Sequence, residues 1–231
     1  MGMIPFSIFY LKNQEFFKKE IKMVLNNIHV IIVCVNYCDF LKYTYKNNIK
    51  FFNKNNYYII TDRSDDETIN YCKFQDHDQI RYFDFFKNAE INKSGAIYMM
   101  QKELHEKYQN DWILLLDADI MLPPNFDELF IKNCTNKDAL YSFKRKNYLT
   151  KKDFELQQNL KDFTGINFVG FMQLYFDKTK YYAEYSKDCS TCDIFFRDKF
   201  YHTLTFIDEN VYVIHLGVDC VNVKGRKSER W

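Results

Sequence analysis

Glycine and proline are scarce in this chain, six and three among 231 residues, and they form no Pro-, Gly- or Ser-rich stretch. That leaves no visible linker, so 1–231 reads as one domain, with about 1–120 and 121–231 as its two halves. No segment approaches the roughly 20 consecutive apolar residues that a membrane helix needs. The apolar start from Met3 to Leu11 is short, has no basic flank before it and no small-residue cleavage site. Phe6 stands where a myristoylation signal after Gly2 wants Ser or Thr. The expectation is a soluble, cytoplasmic protein with no integral membrane segment. An excess of charge of one sign is also missing. Lys plus Arg number 32 against 31 Asp plus Glu, a net +1, which excludes a nucleic-acid partner gripped by a broad basic face. The seven cysteines are odd in number and scattered. The single CxxC pair, Cys189 and Cys192, has neither a second pair nor a histidine at zinc-site spacing, so free, reduced thiols are expected.

What is present argues for a globular fold. Hydrophobic residues make up 47% and charged residues 27%, which excludes a disordered, collagen-like or coiled-coil chain. The 23 Phe and 18 Tyr fit the codon bias of an AT-rich genome. Aromatic stripes are therefore read as core filler rather than as platforms for bases or sugars.

Periodicity orders the chain. Phe16, Phe17, Ile21, Val24 and Leu25 share one helical stripe between Asn13 and Asn27. The β-branched run from His29 to Asn36 suits a strand buried on both faces. Tyr57 to Thr61 reads as a second strand, and Ser64 to Glu67 has capping-box spacing for a helix. A short strand near Ile80 to Phe85 and a helix from about Ser94 to Tyr108 follow. Asp111-WILLL-Asp117 is the clearest strand. Pro123-Pro124 stops the sheet, Asn125 is placed to cap a short helix, and Ala139 to Lys144 and Val211 to His215 read as further strands. Strands alternating with helical stretches imply an α/β fold with a mostly parallel central sheet flanked by helices, and a less regular C-terminal half.

In open α/β sheets ligands bind beyond the carboxyl ends of the strands, so strand ends are where chemistry is sought. Asp117-Ala118-Asp119 ends the most apolar strand. Residues i and i+2 of a strand share a face, so both carboxylates are expected to point the same way. Two adjacent carboxylates repel unless a cation lies between them, and hard oxygen ligands suit Mg²⁺ or Mn²⁺.

At these residues the chain resembles the GT-A-fold, Asp-x-Asp glycosyltransferases, family-2-like and of the small viral or bacterial type, which transfer a sugar from a nucleoside diphosphate. ILLLDADIMLPPNF resembles their metal strand and loop. The strand from Val30 to Asp39 resembles the opening nucleotide-binding strand, Ile60-Thr61-Asp62-Arg63 the strand end that holds base and ribose, and Asn92-KSGAIYMM the Lys-Gly-x-Ala helix, with Ser94 interrupting Lys and Gly. Val213 to Gly217 resembles the late strand whose His completes the metal site, and Val223-Lys224-Gly225-Arg226 the basic closure, where related chains often carry Trp in place of Val223. The resemblance spans about Ile28 to Arg226.

It implies a Mn²⁺ or Mg²⁺ site of Asp117, Asp119 and His215, with Asp119 the firmer ligand. It also implies nucleotide-sugar contacts from Asn36, Tyr37, Asp39, Asp62, Arg63, Lys93 and Ala118, with Lys224 and Arg226 closing as a lid. Asp193, near a helix start, is the implied base, with Asp188 and Glu184 as fallbacks, and with it inverting stereochemistry. Gly170, Phe171 and Gln173 are candidate acceptor contacts, Gly170 because a ligand can approach its backbone closely. The implied donor is a UDP-sugar, and the acceptor a glycan, a lipid-linked sugar or a protein hydroxyl. Three other readings compete. A haloacid-dehalogenase-like phosphatase would want Thr or Val where Met121 stands and the motif at the fold's opening. A sugar nucleotidyltransferase would need a Gly-rich loop after the first strand, and Asn36 to Asp39 has no Gly. A domain that binds nucleotide-sugar without turnover would have little reason to keep Asp117, Asp119 and His215.

Overall fold

A computed structural model describes residues 25–86, 91–186 and 191–218. The helical stripe expected between Asn13 and Asn27 falls mostly outside these residues, as do Asp188, Cys189, Lys224 and Arg226.

The larger sheet has seven strands, in the order Leu204–Phe206 (β10), Leu140–Ser142 (β6), Met172–Tyr175 (β9), Trp112–Leu116 (β4), Ile28–Val33 (β1), Tyr57–Thr61 (β2) and Ile80–Tyr82 (β3). At its centre lie β1 (Ile28–Val33) and β4 (Trp112–Leu116), both apolar and paired in parallel. On the other side of β1 lie β2 (Tyr57–Thr61) and β3 (Ile80–Tyr82), also parallel. The chain thus runs outward from β1 to β2 and β3, then returns across β1 to β4. This reversal of strand order opens a crevice at the carboxyl ends of β1 and β4. Every residue of β2 and β4 is buried, because helices cover both faces, and this accounts for unbroken apolar runs in place of alternation. His29 is the polar exception in β1. Its Nε2 lies 2.9 Å from Asp111 Oδ2 and its ring 4.0 Å from that of Tyr108, so the buried imidazole is satisfied.

Three helices make the crossovers, namely α1 (Cys38–Asn48), α2 (Asp66–Phe74) and α3 (Lys93–Lys107). The capping box expected at Ser64 is displaced by one residue. Asp65 is the N-cap and accepts from the Thr68 N–H, while the Ser64 hydroxyl donates to Asp62. Helix α3 begins one residue earlier than expected, its N-cap Asn92 accepting from the Gly95 N–H. Helix α4 (Phe126–Asn133) starts after Asn125 as expected, though the Asn125 side chain makes no capping hydrogen bond.

The strand expected from Ala139 to Lys144 is two strands. Leu140–Ser142 (β6) joins the large sheet, and Lys144–Tyr148 (β7) belongs to a second, four-stranded sheet ordered β5-β11-β7-β8. Here Ile120–Met121 (β5) pairs antiparallel with Tyr212–Leu216 (β11), and Lys161–Asp162 (β8) closes the other edge. The remaining elements are α5 (Lys151–Glu155), β9 (Met172–Tyr175), α6 (Cys192–Asp198) and β10 (Leu204–Phe206). Strand β9 runs antiparallel to β4, with Met172 beside Leu116, so it begins where β4 ends. That reversal carries the 168–173 segment to the crevice. No helix among the described residues is long and apolar enough to cross a membrane.

Candidate active site

The Asp117-Ala118-Asp119 segment lies just past β4, in a turn closed by the Ile120 N–H donating to the Asp117 carbonyl at 3.2 Å. The two carboxylates therefore do not share a strand face, and each meets a different partner. Asp117 Oδ1 accepts from Lys93 Nζ at 2.9 Å. Asp119 is buried, and its Oδ2 lies 3.4 Å from His215 Nε2. The antiparallel pairing of β5 and β11 sets this approach, with His215 opposite Ile120 and the Leu216 N–H donating to the Asp119 carbonyl.

Helix α1 braces the same turn from below. The Thr44 hydroxyl donates to the Ala118 carbonyl at 2.6 Å, and the Asn48 amide donates to the Ile120 carbonyl while accepting from the Leu122 N–H. Thr44 and Asn48 are four residues apart and so share one helix face. Ala118, expected to touch donor, is buried with its carbonyl spent on Thr44.

Lys93 is the hub of the crevice. Its Nζ also donates to Asp193 Oδ2 at 3.2 Å, so one ammonium bridges the end of β4 and the first turn of α6. Burial works against charge on Lys93, but Asp117 and Asp193 outweigh it and hold the amine well above the usual lysine range. Burial raises the Asp117 carboxyl to about 6, with Asp119 and Asp193 pushing the same way and Lys93 opposing. Asp193 itself is buried and accepts at Oδ1 from the Tyr182 hydroxyl at 2.7 Å.

The three acceptor candidates sit differently from expectation. A Cβ on Gly170 would lie 1.9 Å from Asp193 Oδ2, so the missing side chain makes room for that carboxylate rather than for a ligand. Gln173 is fully buried, and its amide donates to the Phe168 and Asp193 carbonyls. It cannot reach a sugar, because both ends are committed inside. Phe171 is buried too, with the Arg145 guanidinium 4.9 Å from its ring. Glu184, a fallback base, lines a separate cavity of about 610 Å³ with Phe83, Asn92, Tyr98 and Lys102.

On the nucleotide side, Asp65 is the organiser. Its Oδ2 accepts from the Asn36 N–H at 2.8 Å and from the Thr61 hydroxyl at 3.1 Å, so the ends of β1 and β2 are tied to the start of α2. Asn36 is exposed there with φ 57°, a left-handed geometry that Asn tolerates better than most residues. Asp62 is half-buried and accepts from the Ser64 and Phe85 N–H groups, and Arg63 is exposed with its guanidinium 4.8 Å from the Tyr82 ring. Tyr37 and Asp39 open α1 at the same rim. Sequence reasoning missed Asp65, Thr44, Asn48 and Tyr182, and only Asp65, within a run of capping residues, carried a local signal.

Among the described residues, no group of three or more His, Cys, Asp or Glu side chains converges closely enough to enclose a metal ion by itself. Mg²⁺-type sites use one or two carboxylates and take further oxygens from substrate phosphates. The buried Asp119 and His215 at the mouth of the crevice, with Asp117 beside them, are a donor set that fits such an open site.

The model of "Glycosyl transferase family 2" matches residues 29–205, from β1 into β10. The chain belongs to glycosyl transferase family 2. That membership gives its enzyme class, and the match ends ahead of His215. Among solved structures, the fold is similar to that of a mannosyltransferase from Pyrobaculum calidifontis, solved in complex with GDP-Man and Mn²⁺, with TM-score 0.53 and 10% identity. The alignment covers 84% of this chain and 58% of that one, so this chain spans little over half that enzyme's length. The inositol-1-phosphate CTP transferase of T. maritima aligns with TM-score 0.47 and 9% identity, over 83% of this chain and 89% of that one. No curated protein matches the sequence significantly. The α/β sheet expected from the strand pattern, and the GT-A fold that the resemblance implied, are the fold observed.

Proposed function

We propose that this family 2 member transfers a sugar from a nucleoside diphosphate to an acceptor hydroxyl with inversion, using Mn²⁺ or Mg²⁺ and a UDP-sugar donor. The observation that carries the reading is the convergence of Asp117, Lys93 and Asp193 beside the Asp119–His215 pair, at the crevice where α/β sheets bind ligands. In this reading Asn36, Tyr37, Asp39, Asp62 and Arg63 line the nucleotide's side of the crevice. Asp119, His215 and Asp117 would hold the divalent ion. When bound, that ion stabilises negative charge developing on the diphosphate as the sugar–phosphate bond breaks.

The chain's own residues do the rest. Lys93 fixes the distance of Asp193 from the end of β4, where the donor sugar is presented. Asp193 takes the proton of the attacking hydroxyl, a role that needs a carboxylate within hydrogen-bond reach of the acceptor. Burial of Asp193 limits competing bulk water. Lys224 and Arg226 belong to this reading as donors to the diphosphate. The acceptor is a glycan, a lipid-linked sugar or a protein hydroxyl.

The test is a thermal-shift panel of UDP-, GDP-, CMP- and dTDP-sugars with and without Mn²⁺, on the wild type and Asp119→Ala. A ligand that binds only the native state raises its stability by mass action. A Mn²⁺-dependent shift with one nucleotide, lost in the variant, is expected. A folded protein that shifts with none of them sinks the proposal.

A further inference from the structure

Asp193 is gripped by more than its helix and Lys93. We infer that Tyr182 and Gln173 act as one positioning unit that aims Asp193 at the reacting hydroxyl, an inference that rests on the reading of Asp193 as the base. The Tyr182 hydroxyl lies 2.7 Å from Asp193 Oδ1 and 2.5 Å from Gln173 Oε1. The amide's orientation is set from its other end, where Nε2 donates to the Phe168 carbonyl at 2.9 Å and to the Asp193 carbonyl at 3.1 Å. An amide whose NH₂ is spent on two carbonyls presents only its oxygen to Tyr182. Tyr182 is pinned as well. Its N–H donates to Gln101 Oε1 at 2.7 Å, and its ring stacks on Phe196, in the same helix as Asp193, at 4.6 Å. All three side chains are buried, so none of these groups can trade its partner for bulk water.

The Tyr182 hydroxyl has one proton and faces two acceptor oxygens. With Asp193 ionised, it donates to one of them and the other contact lacks a proton. Once Asp193 holds the acceptor's proton, its carboxyl donates to Tyr182 and Tyr182 donates to Gln173, so every contact is satisfied. Lys93, 3.2 Å from Oδ2, retains the other carboxylate oxygen. The acceptor O–H bond breaks and its proton joins Asp193, the oxygen pair forms the new bond to the sugar carbon, and the sugar–phosphate pair leaves with the nucleoside diphosphate. Tyr182 and Gln173 touch no substrate; they act through Asp193.

Tyr182→Phe and Gln173→Met remove the polar atoms while keeping most of the shape. The first readout needs no substrate. With carboxyl-¹³C aspartate incorporated, the Asp193 resonance is identified by its loss in Asp193→Asn. Both variants are expected to move it and leave the other aspartates in place. If one variant does not fold, the other carries the test. The second readout is nucleotide release to water from the donor that the panel selects. Tyr182→Phe is expected to lower kcat about ten- to a hundredfold, the effect of losing a hydrogen bond to a charged group, with KM and the Mn²⁺-dependent thermal shift unchanged. The double variant should lose no more than the worse single one. An unmoved Asp193 resonance in Tyr182→Phe, or additive losses in the double variant, overturns the unit. Turnover retained in Asp193→Asn overturns the base reading instead.

Discussion

Gly170→Ala is the smallest change that tests the proposed geometry. The added methyl would start 1.9 Å from Asp193 Oδ2 and 2.3 Å from its Cγ, so the carboxylate must retreat by about 1.5 Å to reach an ordinary 3.4 Å contact. Backbone conformation adds no penalty, because Gly217 is the only glycine with positive φ among the described residues. The retreat is resisted by Lys93 on Oδ2 and by Tyr182 on Oδ1. Overpacking a filled site costs about 1–3 kcal/mol, which for a chain of this size lowers Tm by about 2–12 °C. The effect on turnover should be larger, since a misplacement of about 1 Å at a reacting group can cost on the order of a hundredfold. The assay is nucleotide release at saturating donor, with the Mn²⁺-dependent thermal shift of the donor measured alongside. Expected is a folded protein that binds donor normally and turns over about a hundredfold more slowly. Turnover within threefold of wild type would refute the placement of Asp193. Loss of donor binding would show that the strain spreads to the nucleotide side.

Three further predictions concern stability. Lys93→Met strands two carboxylates, and breaking a buried pair costs about 3–5 kcal/mol; urea unfolding should give the lower end, because the Asp117 side chain is 33% exposed, and an unchanged midpoint would contradict the bridge. Asp65→Ala removes a helix cap and the acceptor for Asn36 and Thr61; a cap alone contributes about 1 kcal/mol, so a larger loss is expected by denaturant titration, and a loss below that would deny Asp65 its organising part. Burial lowers the buried His77 and His105 from 6.5 to about 4. The unfolded state then binds protons first, so their contribution is complete above pH 6.5 and is lost as pH falls toward 4, by up to about 3 kcal/mol for each. Unfolding at pH 7.5 and pH 5 should differ less in His105→Gln, and an equal difference would refute the assignment.

The order of buried strands was legible because each is a local apolar run. β2 and β4 coincide with their runs, β1 begins one residue before its run and stops three residues short of Asn36, and the Asp-x-Asp at the end of β4 followed from where the apolar residues stop. Capping was legible only to within one residue, since Ser64 and Asp65 are both good caps and a hydrogen bond to Asp62 decides between them. The run from Ala139 to Lys144 gave no sign that it divides between two sheets at Phe143, because strand pattern reports faces and not partners.

The sequence by itself determined the fold class, the family resemblance and the acids and histidine worth examining, since composition, periodicity and motif spacing are properties of neighbours along the chain. Only the tertiary structure decided what those residues meet. The pairing of β5 with β11 sets His215 beside Asp119, and the antiparallel run of β9 delivers Gly170 and Gln173 to Asp193. The start of α3 places Lys93 between carboxylates 24 and 100 residues away. Sheet order and register fix such contacts, and these emerge from the packing of the whole core rather than from any local run.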